Sequence, residues 1–191
     1  MGRVDSMRET TNTKRFAQKI VKRISNKVKK DKKKPVGNQN CLLCTWCTEA
    51  QFRGIDVLPR PVYSPRDVVF RFTDANIVKY ARKIHFRNKN ELNQKVSGGK
   101  RFYCHVNWKD SSGGHEFILL NINGEIYVMD SQAGLLANIN SNDGGYYFRD
   151  INYKNSFIVR LDNKKLNEDV LKYNSANFTI DFDEAEDLKY L

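Results

Sequence analysis

Apolar residues follow a helical period in the first part of the chain and alternate with polar residues in the second. Between residues 14 and 30, they recur at every fourth position from Phe16 to Val28 among many Lys and Arg, and this predicts an amphipathic basic helix. Turn-forming residues at 36–40 lead into a second predicted helix from Cys41 to Arg53, after which Gly54 suits the C′ position. Strands are predicted over 101–108, 115–122, 125–130 and 156–161.

The order of these elements favours an α+β fold. Helices come first, including one expected around Asp74 to Ile84, and strands follow without alternation of strand and helix. With 191 residues, of which 40% are hydrophobic, the chain can bury one core and still form an extension at either end. No apolar stretch is long enough to cross a bilayer, and the first residues lack the apolar segment of a secretory signal. Neither a transmembrane segment nor a signal peptide is therefore expected.

The net charge of +11 is concentrated at one end of the chain. Residues 1–35 hold thirteen Lys and Arg against three acids, whereas residues 162–191 hold eight acids against four lysines. This distribution predicts a basic arm or linker (1–35), a central domain (36–161) and an acidic segment (162–191) that packs on the domain or trails it. We interpret the arm as a solvated helix or a piece of a longer polyprotein, or alternatively as a contact for nucleic acid or an anionic membrane.

Asn123-Gly124 separates two β-rich runs, which is the strongest short signal for a β-hairpin. A two-residue loop sets the register, so that Ile122 opposes Glu125 and every second residue shares a face. In this register His115, Asp130 and Gln132 project from one side, and the His115–Asp130 diagonal is short enough for the two side chains to meet. The same face carries the apolar residues Phe117, Leu119, Ile126 and Val128.

The His–Asp pair has two interpretations. It is either a structural contact at a sheet edge or part of a catalytic site. The loop Ser111-Ser112-Gly113-Gly114 just before His115 favours the second, because small flexible residues let a substrate backbone approach the imidazole.

Cys41 is the candidate nucleophile for such a site. It opens the second helix, where free backbone N–H groups and the helix dipole stabilise a thiolate. Those N–H groups, with a nearby side chain from Asn38, Gln39 or Asn40, are candidates for an oxyanion hole. Cys44 and Cys47 lie one and two turns deeper in the predicted helix, so we expect them to pack rather than react.

The four cysteines leave a metal site as an alternative. Cys41, Cys44 and Cys47 recur every third residue, and with Cys104 or His105 they have enough ligands for zinc or an iron–sulfur cluster. However, the three lie in an apolar helical stripe rather than in the Gly-rich turns of ligand knuckles. We therefore expect free thiols, a reducing compartment, no metal and no cofactor.

Two blocks of sequence together resemble a known family. The first block is Asn40-Cys41 with Cys44, in a helix that ends at Arg53-Gly54 and is followed by Asp56-Val57. The second block begins with Gly113-Gly114-His115 and a strand. It continues through Asn123-Gly124 and a second strand to Asp130, Gln132 and Gly134. In this order they resemble the papain-fold toxin family, also called toxin glutamine deamidase domains, over roughly residues 36–161. Members are often the C-terminal domains of secreted bacterial toxins or occur in phage and mobile-element proteins.

The resemblance implies a papain-like fold in which an N-terminal catalytic helix packs on an antiparallel sheet. It implies that Cys41 is the nucleophile, His115 the general acid and base, and Asp130 the residue that orients His115. Gln132 matches a family position near the active site. The expected substrate loop, with Gly113 and Gly114, comes from the small residues before His115 and not from the resemblance. The implied reaction is deamidation of a glutamine side chain on a target protein.

Other functions use the same residues. A papain-like protease and a transglutaminase-like acyl transferase share the triad, and a non-catalytic binding module can keep the fold. The expected partners are a target protein and, for a toxin or effector, an immunity or inhibitor protein. The expected location is the cytoplasm of the producer, or that of a target cell after delivery.

Overall fold

The computed structural model describes residues 2–31, 40–60, 78–109 and 113–167, with side chains of the first helix from Asn12 to Lys30. The chain forms the following elements in order: α1 (Gly2–Asp31), α2 (Cys41–Phe52), β1 (Ile84–His85), α3 (Lys89–Ser97), β2 (Arg101–Asn107), β3 (Gly114–Ile122), β4 (Glu125–Asp130), β5 (Leu135–Asn138), α4 (Asn142–Tyr146), a 3₁₀ turn (Tyr153–Asn155) and β6 (Phe157–Arg160).

The strands form one six-stranded antiparallel sheet in the order β1-β6-β2-β3-β4-β5. The α+β class and the antiparallel sheet are therefore confirmed. The β3–β4 hairpin has the predicted register, with Ile122 opposite Glu125 and Leu120 opposite Tyr127. Asn123 and Gly124 have φ angles of 53° and 89°, as a two-residue turn with positive φ at both central positions requires.

Two hydrophobic clusters cover the two faces of this sheet. The first, which we call the α2 face, contains α1 and α2 together with Tyr103, Ile118, Leu120 and Met129. The second, the α3 face, contains Leu92 and Val96 of α3 together with Phe117, Leu119 and Val128. Apolar residues alternate between the clusters along β3, as the period of two requires.

Helix α1 packs into the core instead of forming a solvated arm. Its residues Ala17, Ile20, Val21, Ile24 and Val28 are at most 3% exposed and belong to the α2 face. Phe16, which the period places on the same stripe, is 45% exposed and contacts Phe52 edge-on, with ring centroids 5.5 Å apart. Since this buried stripe is continuous with the core, the described part of α1 is structurally part of the same unit as α2 and the sheet.

Helix α2 lies across the sheet and is buried on nearly every side. It runs to Phe52, and Gly54 follows with a φ of 80°, which agrees with the predicted end of the helix. Residues from Leu43 to Gln51 are all buried, including Trp46, Cys47 and Ala50 of the predicted apolar stripe. Buried Glu49 is held by Arg53 and Arg101, with its oxygens 2.8 Å from the Nε atoms of both arginines. The helix is thereby fixed to β2 by an ion pair as well as by apolar contact.

The helix expected around Asp74 to Ile84 is wrong where the structure describes it. Val78 forms an isolated bridge with Leu166, the next residues turn, and Ile84 begins β1. The start of that expected helix, 74–77, lies outside the described residues. In the described part of the chain, none of the helices combines the length and the apolar character needed to cross a membrane.

Candidate active site

Cys41 occupies the first position of α2, at the edge of the α2 face. It is partly exposed, whereas Cys44, Cys47 and Cys104 are buried, and all four thiols are free. The backbone N–H groups of Leu42 and Glu116 lie against the Cys41 sulfur and favour the thiolate. The prediction that Cys44 and Cys47 lie deeper in the helix and pack in the interior is confirmed.

The nearest polar partner of Cys41 is Glu116 of β3. The Cys41 thiol donates a hydrogen bond to Glu116 Oε2, and Glu116 Oε1 lies 3.1 Å from Nδ1 of His105 on β2. Glu116 and His105 are directly opposed across the β2–β3 ladder. The His105 ring stacks on Phe157 of β6, with centroids 5.0 Å apart and planes 21° apart. A thiol, a carboxylate and an imidazole are thus linked in series across α2, β3 and β2.

This environment disfavours ionisation of the thiol. Burial raises the pKa of Cys41 well above its usual value, and the charge of Glu116 raises it further. Burial also acts to raise the pKa of Glu116, but the hydrogen bonds from His105 and Cys41 outweigh it and hold that pKa below its usual value. The resting site therefore contains a protonated thiol beside an ionised carboxylate.

His115 and Asp130 meet as the hairpin register predicts. His115 Nε2 lies 2.6 Å from Asp130 Oδ2, and the two side chains are 18% and 2% exposed. The imidazole packs against two aromatic rings that also contact each other, with its centroid 6.0 Å from that of Phe117 and 5.8 Å from that of Tyr147. A buried carboxylate therefore fixes the orientation of a partly exposed imidazole.

Asp130 is itself held by several donors. Its Oδ1 accepts hydrogen bonds from the backbone N–H groups of Gln132 and Ala133, at 2.9 and 3.0 Å. Its Oδ2 accepts a hydrogen bond from the Tyr147 hydroxyl at 2.7 Å. Burial acts to raise the pKa of Asp130, but His115 and these donors hold it below its usual value. Burial and the charge of Asp130 in turn raise the pKa of Tyr147, so the site holds an ionised Asp130 and a neutral phenol.

The group formed by Cys41, Glu116 and His105 and the group formed by His115 and Asp130 lie on opposite faces of the sheet. Glu116 points towards α2 and Cys41, while its neighbour His115 points towards Phe117 and Tyr147 on the α3 face. Among the described residues, no hydrogen bond joins Cys41 to His115; Cys41 is bonded to Glu116 instead. The structure therefore brings together His115 with Asp130, and Cys41 with Glu116 and His105, but it does not place the three predicted triad residues in one contact.

The predicted oxyanion and substrate residues have different positions. Asn40 is the N-cap residue of α2, but its side chain does not cap the helix. Its Nδ2 donates to the Arg60 carbonyl at 3.4 Å, and its Oδ1 is buried without a hydrogen-bond partner in the described part of the chain. The amide N–H₂ group of Asn40 therefore binds Arg60 and not the region of Cys41. Asn38 lies outside the described residues.

Gln132 lies in the turn after β4, not opposite His115 on a strand, because the β3–β4 ladder ends at Ile118 and Met129. Gly113 accepts a hydrogen bond from the Trp108 N–H at 3.1 Å. At Gly114 a Cβ atom would lie 2.6 Å from the Val106 carbonyl oxygen and 3.1 Å from the His105 ring. Glycine is thus required at 114 for close packing of β3 on β2. Ser111 and Ser112 lie outside the described residues.

The metal alternative gains no support from the positions of the ligands. Cys104 belongs to the α3 face, whereas Cys44 and Cys47 belong to the α2 face. Burial raises the pKa of Cys44, Cys47 and Cys104. Within residues 2–31, 40–60, 78–109 and 113–167, no group of three His, Cys, Asp or Glu side chains has the spacing to hold a metal ion.

Sequence reasoning missed Glu116, His105 and Tyr147. The alternation along β3 puts Glu116 on the face opposite His115, and that part was readable from the sequence. The contact with His105 depends on the β2–β3 register, and the connection from Trp108 to Gly113 carries no two-residue turn signal that would set it. Tyr147, which reaches Asp130, is the C-cap residue that follows the short helix α4, and this helix was not predicted.

A cavity of about 570 Å³ lies away from both groups. Its lining includes Phe16, Phe52, Arg101, Leu120 and Asn121, close to the C-terminal end of α2 and the hairpin turn. None of the residues around Cys41 or His115 contributes to it.

Comparison of the chain with protein-family models, with curated proteins and with solved structures finds no match.

Proposed function

We propose that the chain is a cysteine-dependent hydrolase that deamidates glutamine side chains of a target protein, with Cys41 as nucleophile. The observation that carries the proposal is the position of Cys41: a partly exposed thiol at a helix N-terminus, with backbone N–H groups at its sulfur and an acid–imidazole pair attached to it. The resemblance of residues 36–161 to papain-fold toxins supports the same reaction and a role as a bacterial or mobile-element effector.

The reaction proceeds through a thioester. The Cys41 thiolate attacks the carboxamide carbon, the carbon–nitrogen bond breaks, and ammonia leaves with a proton supplied by an acid. Water then attacks the thioester, giving glutamate and the free thiol. Backbone N–H groups at the start of α2 stabilise the developing oxyanion in this mechanism.

His115 or His105 supplies the proton. The resemblance favours His115, and the buried Asp130 fixes that ring in one orientation. The resting geometry favours His105 because it reaches Cys41 through Glu116. Single His115→Ala and His105→Ala variants distinguish the two, since the acid–base group should reduce turnover by about two orders of magnitude or more when removed.

The test uses a cytosolic protein extract and peptide mass spectrometry. The wild-type protein should add about 1 Da at specific glutamines, and the Cys41→Ala variant should not, because the thioester cannot form. Cys104→Ala, which removes a buried thiol from the α3 face, is the matched control and should retain activity. Identical peptide maps for wild type and Cys41→Ala would refute the proposal.

The same experiment separates the related reactions. New peptide termini would identify a protease, and glutamine–lysine cross-links would identify a transglutaminase-like transferase. Because these reactions use the same thioester, Cys41→Ala would abolish them as well. An immunity protein as partner, and a location in the cytoplasm of a producer or target cell, belong to this proposal.

A second candidate function is binding of a polyanion through α1. Residues 12–30 contain no acid, and the exposed side of the helix carries Arg15, Lys19, Lys22, Lys29 and Lys30. The apolar side of the helix is buried against α2 and the sheet, so it is not available to enter a bilayer. This arrangement favours nucleic acid over a membrane as the partner.

Its test is binding to a short DNA duplex at several salt concentrations. The combined Arg15→Gln, Lys19→Gln and Lys22→Gln variant should bind more weakly than wild type. Its affinity should also fall less steeply with salt, with the slope smaller by about one for each phosphate that is no longer neutralised. Replacement of the exposed Gln18 by Ala is the control. Equal affinity and salt dependence for both variants and wild type would exclude this role.

A further inference from the structure

We propose that Glu116 and His105 are positioning residues that keep Cys41 as an un-ionised thiol in the resting protein. The inference rests on the proposed function, because it describes how the nucleophile is held before substrate binds. Neither residue belongs to the triad that the resemblance implies.

The hydrogen bond between Cys41 and Glu116 has a defined direction. An ionised carboxylate only accepts, so the contact between Cys41 and Glu116 requires a proton on the sulfur. Loss of that proton to solvent would leave two negative charges in contact. Two like charges at such a distance repel strongly at the dielectric of a partly buried site, and this disfavours the thiolate.

Glu116 is also held in place from its other side. Its second oxygen contacts Nδ1 of His105, whose ring stacks on Phe157. The close approach of Gly114 leaves no room for a side chain between this ring and the start of β3. The carboxylate therefore has a fixed partner on each oxygen and a fixed position relative to the sulfur.

Other titratable groups lie near Cys41. Cys44 lies one turn further along α2, while His115 and Asp130 approach from the α3 face. Asp130 is paired with His115, and burial raises the pKa of Cys44, so neither places a charge in contact with the sulfur. Glu116 is thus the charged group in direct contact with Cys41 among the described residues.

A consequence for catalysis follows. A substrate that displaces Glu116 from the sulfur, or a proton that neutralises it, removes the repulsion that opposes the thiolate. The backbone N–H groups of Leu42 and Glu116 then stabilise the anion without competition. Activation of the nucleophile would be coupled to occupation of the site.

The test measures alkylation of Cys41 by iodoacetamide between pH 6 and pH 10. The thiolate attacks the methylene carbon, a carbon–sulfur bond forms and iodide leaves, so the rate follows the thiolate fraction. Intact-protein mass counts the adducts, and Cys41→Ala reports any reaction of the three buried thiols. Glu116→Gln should shift the midpoint to lower pH and speed alkylation at pH 7 about tenfold or more, because one pKa unit changes the thiolate fraction tenfold.

A matched comparison makes the result specific. Glu125→Gln makes the same chemical change at the other end of the hairpin, where Glu125 contacts Lys14 and Tyr127, and should leave the alkylation profile unchanged. An unchanged or slower rate for Glu116→Gln, or the same acceleration for Glu125→Gln, would overturn the inference.

A second measurement requires no substitution at Glu116. The thiolate absorbance of the wild-type protein, with that of Cys41→Ala subtracted, should have its midpoint above the usual thiol value of 9.0. A midpoint below that value would also overturn the inference. Alkylation and absorbance need no glutamine substrate, so this inference can fail while deamidation is found, and deamidation can be absent while the thiol behaves as described.

Discussion

At the scale of single residues, the defining feature is that the buried Asp130 carboxylate has all of its oxygens hydrogen-bonded. This buried carboxylate has hydrogen bonds on both oxygens, from an imidazole, a phenol and two backbone N–H groups. The backbone donors come from the turn that follows β4, so the side chain also fixes the path of the chain towards β5. Asp130 therefore contributes to stability whatever the reaction is.

Replacement of Asp130 by Asn should lower the free energy of unfolding by about 2 kcal/mol, the typical value of a charge-assisted hydrogen bond. The amide can accept from fewer donors and presents an N–H₂ group to donors that need an acceptor. Urea unfolding at pH 7 measures the loss. Asp143→Asn, an exposed acid in α4, is the control and should change stability little.

The depressed pKa values of Asp130 and Glu116 predict loss of stability in acid. In the folded protein, the pKa of Asp130 lies below its usual value of 3.8 and the pKa of Glu116 below its usual value of 4.5. Their contribution to the free energy of unfolding is therefore fully present above those values, and it is lost as the pH falls through the folded-state pKa values. The free energy of unfolding should therefore decrease below about pH 4.5. In urea titrations at pH 3 to 7, Asp130→Asn should show a shallower decrease than wild type; an equal slope would contradict this assignment.

At the scale of elements, the unexpected feature is the position of α1. The basic composition of residues 1–35 suggested a separate arm, whereas the structure buries the apolar side of the helix against α2 and the sheet. Gly134, in the turn that holds Asp130, packs on Ser25 of α1, since a Cβ atom there would lie 3.0 Å from Ser25 Oγ. The helix therefore supports the turn beneath the His115–Asp130 pair.

Truncation of Ile24 to Ala should lower the free energy of unfolding by about 2–4 kcal/mol, because the side chain is fully buried and leaves a cavity. Asn26→Ala, on the exposed side of the same helix, is the matched control and should be close to neutral. Equal unfolding curves for Ile24→Ala and wild type would show that α1 does not contribute to the core.

The contrast between predicted and missed elements has a physical reason. Asn123-Gly124 sets the register of β3 and β4, because only a few turn types join two strands with two residues. The His115–Asp130 contact follows directly from this register. The Glu116–His105 contact depends on strands joined by a longer loop, and such a register is set by packing. Strand β5 and helix α3 were missed because they are short and only partly buried, so their patterns are weak.

At the scale of the whole molecule, one buried ion cluster joins parts that are distant in sequence. Glu49 of α2 is fully buried and accepts from Arg53 and from Arg101 of β2. Arg53 also donates to the carbonyl oxygens of Leu161 and Lys164, both at 2.7 Å. A helix, a central strand and the segment after β6 therefore share one set of charges.

Replacement of Arg101 by Ala should destabilise the protein by about 3 kcal/mol or more, because it leaves a buried carboxylate with one partner fewer. Arg87→Ala removes an arginine whose side chain is 89% exposed and which pairs with Glu91, and should cost less than about 1 kcal/mol. Thermal or urea unfolding of the two variants compares a buried with an exposed arginine–glutamate pair. Similar losses for both would contradict the structural role of Glu49.

The insertion of β6 between β1 and β2 has a consequence for biosynthesis. Strand β2 pairs on one side with its neighbour β3 but on the other with a strand that begins at Phe157. On the ribosome, β2 to β5 can pair in sequence as they emerge, while the other edge of β2 stays open until the chain has grown past Arg160. We expect this protein to need a chaperone before that point, and nascent chains stalled there should bind one.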